Sequence, residues 1–462
     1  MISIREVSFG YAGTPATLHG VSLTVRPGEC LLLCGGSGCG KTTVTKLING
    51  LIPAFTEGCA LTGEVTVDGM TVRSTELYQL AKHVGSVFQN PKSQFFNLDS
   101  DSELAFGLEN SGTPPEQIRR RIDATVRDLG IQNLLGRDIF SMSGGEKQTL
   151  AFASVYAMSP DIYLLDEPTA NLDAEAIDRL RGLILALKGA GKTVIIAEHR
   201  LYFLSDLIDR ALYLQEGRIT RELTGAEFRA LSEQERVALG LRTLRPTVVS
   251  LPPARTAAEA GEGLAVEGMT YAFGREAPVF EQLSFGACPG EVLAVTGRNG
   301  VGKTTLIRCL CGLIREQAGS VRLNGRALKP KERLHMAFCV MQDVNHQLFS
   351  DSVWGECEMA GPDAAPAQIE EVLASFDLLP FKDKHPMALS GGQKQRLAVA
   401  TAVLCHKKVL IFDEPTSGLD YLHMQEVGAV VRRMAAEGHV VLVVTHDKEF
   451  LQCACDRVLE LR

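Results

Sequence analysis

The chain has few long apolar stretches: nowhere in its 462 residues does an uncharged hydrophobic run approach the roughly twenty residues that a membrane-spanning helix needs. Residues 1–6 carry neither the basic flank nor the apolar stretch of a secretory signal, so the expectation is a protein without signal peptide or transmembrane helix that stays in the cytosol. Positive charge is also short, 47 Lys and Arg against 55 Asp and Glu. The resulting net charge of −8 argues against a wrapped polyanion, and no nucleic acid is expected as a partner. The twelve cysteines contain no CxxC pair, and the close pairs Cys309/Cys311 and Cys453/Cys455 are not spaced like a zinc or iron–sulfur framework. They read as buried reduced thiols.

What the chain does have, it has twice. Gly35, Gly36, Ser37, Gly38, Cys39, Gly40, Lys41 and Thr42 fit GxxxxGK[ST], and so do Gly297, Arg298, Asn299, Gly300, Val301, Gly302, Lys303 and Thr304. Lys41 recurs as Lys303 262 residues on, Gln89 as Gln342 after 253, and the motifs at Ser143, Asp166 and His199 as Ser390, Asp413 and His446 after 247. An internal repeat is the plain reading. The offset shrinks before the serine motif and is constant afterwards, so the hydrolytic end of each copy is held most strictly. Boundaries are expected at residues 1–220 for the first copy and 263–462 for the second. Residues 221–262, with six Arg, six Glu and Pro246, Pro252 and Pro253, read as a short helical piece followed by an extended tether.

A nucleoside triphosphate presents several negative charges, and a loop of small residues lets successive backbone N–H groups converge on them at a helix start. Lys41 and Lys303 should reach the β- and γ-phosphates, the hydroxyls of Thr42 and Thr304 should ligate Mg²⁺, and Thr43 and Thr305 follow them. Asp166-Glu167 and Asp413-Glu414 each end a four-residue apolar run, which puts the carboxylates at a strand tip. The aspartate should hold Mg²⁺, the glutamate should orient the attacking water. Neither glutamate is replaced, so two hydrolysis-competent sites are expected. His199 and His446 suit a hydrogen bond to the γ-phosphate. Gln89 and Gln342 suit a group that senses γ-phosphate, Mg²⁺ and water. Ser143, Gly144, Gly145 and Glu146, like Ser390, Gly391, Gly392 and Gln393, form a capping box; in one copy alone a well-capped helix would suffice as the explanation. Found in both, each exposed helix start is an anion site expected to complete the other copy's nucleotide.

Apolar runs at 30–34 and 292–296 and before each Asp-Glu pair suit buried parallel strands. Between glutamine and serine motif lies a helical insert, with Thr113 to Glu116 as a capping-box start and Ile118, Ile122, Val126 and Leu129 at helical spacing; Ile369, Val372, Leu373 and Phe376 repeat the stripe.

Together these motifs resemble the ATP-binding-cassette ATPases. The resemblance covers all but the tether. It implies an α/β fold of two tandem P-loop nucleotide-binding domains, each a mainly parallel sheet core with an antiparallel β subdomain and a helical subdomain. It makes Asp173 and Asp420 the D-loop aspartates, puts Tyr11 and Phe273 where an aromatic stacks on adenine, and adds Gln89 and Gln342 to the Mg²⁺ ligands beside Thr42, Asp166, Thr304 and Asp413. It implies intramolecular head-to-tail pairing of the two domains around two ATPs, with Ser390 to Gln393 capping the ATP on Lys41 and Ser143 to Glu146 the one on Lys303.

Phe88-Gln89-Asn90-Pro91, Gln94-Phe95-Phe96, the run from Glu103 to Asn110 and Ala197-Glu198-His199-Arg200 resemble energy-coupling-factor importers in their fused, duplicated form. That likeness implies a transmembrane coupling component and a substrate-binding membrane subunit as partners, attachment at the cytoplasmic face of the membrane, and a vitamin, precursor or metal ion as cargo. Phe95, Phe96, Leu348, Phe349 and Trp354 are candidates to line grooves for the partner's helices, with plain subdomain core as the alternative. The rival classes are a soluble twin-cassette translation or repair factor, which would want a basic linker or a coiled-coil insertion, and the twin ATPase of a sugar importer.

Overall fold

The computed structural model describes residues 1–12, 16–170, 172–274 and 277–461, and the chain divides into two units, Met1–Pro246 and Thr247–Arg462. In the first unit, a polar, exposed edge strand, Arg218–Thr224, and five largely buried strands build a six-stranded sheet in the order Arg218–Thr224, Arg210–Gln215, Cys30–Gly35, Thr193–Ala197, Ile162–Asp166 and Val84–Val87. All pairs are parallel except the edge pair Arg218–Thr224 with Arg210–Gln215. Continuous burial is what a parallel sheet covered on both faces demands. The second unit repeats it with five parallel strands in the order Ala337–Val340, Val409–Asp413, Val440–Val444, Val292–Thr296 and Arg457–Glu460.

Each unit adds a four-stranded antiparallel sheet, Leu18–Val25, Ile2–Gly10, Ala60–Val67 and Met70–Thr71 in the first and Phe280–Ala287, Leu264–Tyr271, Ala318–Leu323 and Arg326–Ala327 in the second. Each also adds a helical layer: Ser100–Asn110, Pro115–Leu129 and Gly144–Met158, then Val353–Ala360, Pro366–Ser375 and Gly391–Leu404. The expected α/β class with both subdomains is therefore present twice. Val126, Leu129, Ile369, Val372, Leu373 and Phe376 are core residues, as their spacing implied. One local expectation fails: the helix after Thr113 is capped by Pro114 without a side-chain hydrogen bond, because Pro115 takes the first helical position, where its lack of an N–H costs nothing.

The stretch at 221–262 divides between the units. Its first part continues the edge strand to Thr224, then forms helices Gly225–Ala230 and Glu233–Ala238, each opened by a capping box on Thr224 or Ser232. Phe228 is fully buried in the first unit's core, and the Tyr213 hydroxyl donates to the Leu239 carbonyl at 2.9 Å. The second part lies along the second unit's sheet: Ala254 N–H donates to Val458 O at 2.8 Å and Val458 N–H to Pro252 O at 2.9 Å. Arg255 ion-pairs with Glu291. A Phe228→Ala substitution should lower the stability of the first unit by ~3–5 kcal/mol. An unchanged denaturation midpoint for that unit would show that the segment is not part of its core.

Candidate nucleotide sites

The parallel strands of each unit end on one side, and the chemical residues leave from those ends. In the first unit, Cys30–Gly35 runs into the phosphate loop and Ile162–Asp166 ends on the acidic pair; Thr193–Ala197 leads to His199 and Val84–Val87 to Gln89. Neighbouring strands are about 4.8 Å apart, so four of them bring these side chains within reach of one another. The second unit does the same from Val292–Thr296, Val409–Asp413, Val440–Val444 and Ala337–Val340.

Gly40 takes φ +105° as it opens helix Lys41–Ile48, and a Cβ there would fall 2.5 Å from Leu18 Cδ2. Gly302 takes the same φ before Lys303–Leu310, with Val279 Cγ1 2.4 Å from a Cβ. Only glycine fits. The Lys41 ammonium donates to Gly35 O at 3.0 Å and Gly36 O at 2.9 Å, and that of Lys303 to Gly297 O at 2.7 Å and Arg298 O at 2.9 Å. Each cation is thus folded over its own loop. Thr43 and Thr305 lie in the first turn of these helices.

The Thr42 hydroxyl donates to Asp166 Oδ1 at 3.1 Å, and the Gln89 amide to Glu167 Oε2 at 2.6 Å; His199 Nε2 stands 3.7 Å from Glu167 Oε1. In the second unit Glu414 accepts from the Thr445 hydroxyl at 3.1 Å and from His446 N–H at 3.1 Å, and His446 Nε2 is 3.8 Å away. Burial pushes the Glu167 carboxyl up to about 8, against the pull of Lys41, and Asp413 up to about 6, against Lys303 and Arg308; Asp166 is raised for the same reason. Buried carboxylates with a threonine hydroxyl beside them are a hard-oxygen donor set, and a divalent cation would favour their ionised form. The residues fit Mg²⁺.

Both glutamates lie in the left-handed backbone region, Glu167 at φ +44° and Glu414 at φ +47°. That costs about 1–2 kcal/mol for a residue with a Cβ. It is held by Glu167 N–H donating to Ala197 O and Glu414 N–H to Val444 O, both at 2.8 Å. The strand is turned sharply at its tip, and strain recurring at two equivalent positions marks a functional constraint.

The remaining expected residues fall as follows. Ser143 accepts from Glu146 N–H at 3.3 Å while Glu146 accepts from Ser143 N–H at 2.8 Å; Ser390 and Gln393 do the same at 3.3 and 2.9 Å. Both capping boxes exist, at the starts of Gly144–Met158 and Gly391–Leu404. The extra charge of Glu146 is met by Arg137 at 2.5 Å. Asp173 and Asp420 cap helices Ala174–Gly189 and Tyr421–Ala436. Tyr11 packs edge-on against Phe9 at 4.7 Å, and Phe273, partly exposed, edge-on against Tyr271 at 5.1 Å. Of the candidate groove residues, Leu348 is buried and Phe95 and Trp354 pack on the core, whereas Phe96 is 74% and Phe349 78% exposed. The groove candidates therefore reduce to Phe96 and Phe349, because Phe95 and Leu348 point the opposite way from their neighbours into the core.

Sequence reasoning passed over the residues that brace these sites. Glu198 accepts from Thr169 N–H at 3.2 Å, from the Thr169 hydroxyl, and from His199 N–H at 2.6 Å and Arg200 N–H at 3.2 Å. In the second unit the matching Thr416 hydroxyl donates instead to Asp447, at 2.9 Å, one residue after the histidine. Gln94 accepts from Phe88 N–H and donates to Ser86 O; Gln347 does the same with Met341 and Cys339. Each thus pins the strand end before Gln89 or Gln342. A threonine repeated after each Asp-Glu-Pro was the available signal.

A glycine cradle with its lysine, a buried aspartate and a strained glutamate at adjoining strand tips, built twice, define a tandem nucleoside triphosphatase. The chain matches the ABC transporter family at residues 18–170 and 280–417. It is 48% identical, over its whole length and 95% of the relative, to a provisionally named ABC transporter ATP-binding protein of Treponema denticola. It is 33% identical, over its whole length and 90% of the relative, to a protein of Bacillus subtilis with the provisional name HMP/thiamine import ATP-binding protein YkoD. Among solved structures, a chain of a model of ribosome-bound archaeal Pelota and ABCE1 matches with TM-score 0.68 at 21% identity, over 98% of this chain and 76% of that one, a likeness of fold. The chain belongs to the ABC transporter ATP-binding family: it binds ATP with Mg²⁺ and hydrolyses it.

A Glu198→Gln substitution replaces an acceptor by an NH₂ that cannot accept, leaving a buried donor unpaired. It should cost about 1–3 kcal/mol of first-unit stability and reduce turnover while ATP binding persists. Unaltered stability and turnover would remove Glu198 as a brace.

Proposed function

We propose that the chain is the ATP-hydrolysing subunit of an energy-coupling-factor type importer, powering uptake of a small molecule through a separate transmembrane component at the cytoplasmic face of the membrane. Among the described residues no helix is long and apolar enough to cross a membrane, so a transporter ATPase of this kind needs a membrane partner. The observation that carries the reading is a paired docking feature. Glu103, buried, accepts from Phe96 N–H at 3.1 Å and Asn97 N–H at 3.0 Å, and Glu356 accepts from Phe349 N–H at 2.9 Å and Ser350 N–H at 2.8 Å. A buried carboxylate in each unit thus fixes the backbone that presents an exposed phenylalanine. In the first unit Phe96 stacks on Phe106 at 4.9 Å and edges a groove of about 370 Å³ with Tyr78, Gly107, Val155 and Met158. An apolar groove of this size suits a short helix from the membrane component. The import function named for the Bacillus subtilis relative supports the same direction of transport.

In the ATPase cycle, loop amides and Lys41 or Lys303 bind the β- and γ-phosphates. Thr42, Asp166 and Gln89, and Thr304, Asp413 and Gln342, would hold Mg²⁺, and the ion would supply positive charge against the phosphates. Glu167 and Glu414 orient and polarise the water that attacks phosphorus, and His199 and His446 hydrogen-bond the γ-phosphate. Tyr11 and Phe273 stack on adenine. The capped helix starts at Ser143 to Glu146 and Ser390 to Gln393 are anion sites for a γ-phosphate, and Asp173 and Asp420 cap the helices that follow the acidic pairs.

Glu167→Gln and Glu414→Gln should each lower turnover by about 10²–10⁴-fold with ATP still bound; near-normal turnover in one would mean that the two sites are not equivalent. Phe96→Ala combined with Phe349→Ala should leave ATP binding intact and abolish co-purification with the membrane component from detergent extract. Recovery of that component at wild-type yield, or of ribosomes in its place with the unsubstituted chain, would contradict the importer reading.

A further inference from the structure

The two units differ at one buried position between phosphate-loop helix and glutamine strand. In the first, the Asn49 amide at the end of helix Lys41–Ile48 donates to the Ser86 hydroxyl of strand Val84–Val87 at 3.1 Å. The offsets that relate the lysines and the glutamines carry Asn49 onto Cys311 and Ser86 onto Cys339. Cys311 ends helix Lys303–Leu310 and Cys339 lies in strand Ala337–Val340, three residues before Gln342. Both belong to one apolar cluster, both are free thiols, and they occupy the two positions that hydrogen-bond at 3.1 Å in the first unit. A polar pair in one unit is a thiol pair in the other.

Beside them lies Arg333, where the first unit has Leu80. The guanidinium is 1% exposed and ion-pairs with Glu316 through Nη2, while Nε and Nη1 have no hydrogen-bond partner among the described residues. An arginine with two unsatisfied donors inside an apolar cluster is costly. The Arg333 Cβ lies 3.1 Å from where a Cβ on Gly312, the residue after Cys311, would stand, so its charge is close enough to favour a Cys311 thiolate. The Cys311 thiol is held below its ordinary value by the hydrogen bond with Cys339, with Arg333 adding to it against the opposing effect of burial; that of Cys339 is raised.

We propose that Cys311 and Cys339 are a peroxide-responsive dithiol that closes to a disulfide and locks the second ATP site. The Cys311 thiolate attacks one oxygen of a hydroperoxide; the O–O bond breaks, the departing oxygen takes a proton as water, and Cys311 becomes a sulfenic acid. The Cys339 sulfur then attacks the Cys311 sulfur, the S–O bond breaks, and a second water leaves. Two thiols are oxidised by two electrons and one hydrogen peroxide is reduced to two waters. The disulfide ties the helix that begins with Lys303 and Thr304 to the strand that feeds Gln342, so the glutamine can no longer move independently of the cradle. The first unit, with Asn49 and Ser86, cannot be locked this way.

The effect on turnover rests on the role assigned to Gln342, whereas the covalent bond does not, so the two are read separately. The full chain is treated with hydrogen peroxide, digested and mapped by mass spectrometry, and its ATPase is measured before and after dithiothreitol. The expected result is a Cys311–Cys339 disulfide, with turnover reduced at least about twofold and restored by reductant. The double variant Cys311→Asn with Cys339→Ser rebuilds the first unit's pair and should keep basal turnover and resist peroxide, which separates this pair from oxidation of Cys39 in the first phosphate loop. Oxidised protein without that disulfide, a disulfide that leaves turnover unchanged, or equal peroxide sensitivity in the double variant would each overturn the proposal.

Discussion

Each unit is organised around a glutamate held in a left-handed backbone conformation at the tip of a central parallel strand. The hydrogen bonds from Glu167 to Ala197 and from Glu414 to Val444 hold that turn, and they exist because the next strand in the sheet is parallel and in register. The same register puts the histidine one strand over, the glutamine on the other side and the phosphate loop beyond the histidine. The sheet is therefore the device that converts sequence spacing into a reaction site. Its continuous apolar burial supplies the free energy that offsets a strained residue and several poorly solvated carboxylates.

The two copies keep the reacting groups and vary what holds them. Glu167 is steadied by Gln89, Glu414 by Thr445. The threonine after each Asp-Glu-Pro is braced by Glu198, before the histidine, in one unit and by Asp447, after it, in the other. Glu146 needs Arg137 to balance a charge that Gln393 does not carry. The pair Asn49 and Ser86, hydrogen-bonded in one copy, is replaced by the two thiols Cys311 and Cys339 in the other.

The duplicated motifs were legible because each requires a residue type at a fixed spacing from the next, and the buried strands because a run of apolar residues before an acidic pair has few other uses. What escaped was set by contacts distant in sequence. The strain at Glu167 and Glu414 has no residue signature. The exchange of Glu198 for Asp447 breaks register by two residues, so the repeat that revealed everything else hid it. Phe95 and Phe96 differ in burial although adjacent and chemically identical, since a short irregular segment has no periodicity to assign faces. The region at 221–262 read as a short helical piece followed by a tether; the helical piece is there, with Phe228 buried in the first unit, while the residues around Pro253 add to the second unit's sheet edge without any apolar pattern.

On the proposed reading, each strained glutamate faces the γ-phosphate of the ATP held by its own unit's glycine loop. Density for the full chain with a non-hydrolysable ATP analogue and Mg²⁺ tests it directly. The expected map holds two analogues, one with its γ-phosphate on Lys41 and one with its γ-phosphate on Lys303, and a water between each γ-phosphate and Glu167 or Glu414. Analogues whose γ-phosphates lie away from Glu167 and Glu414, with no water between, would contradict it.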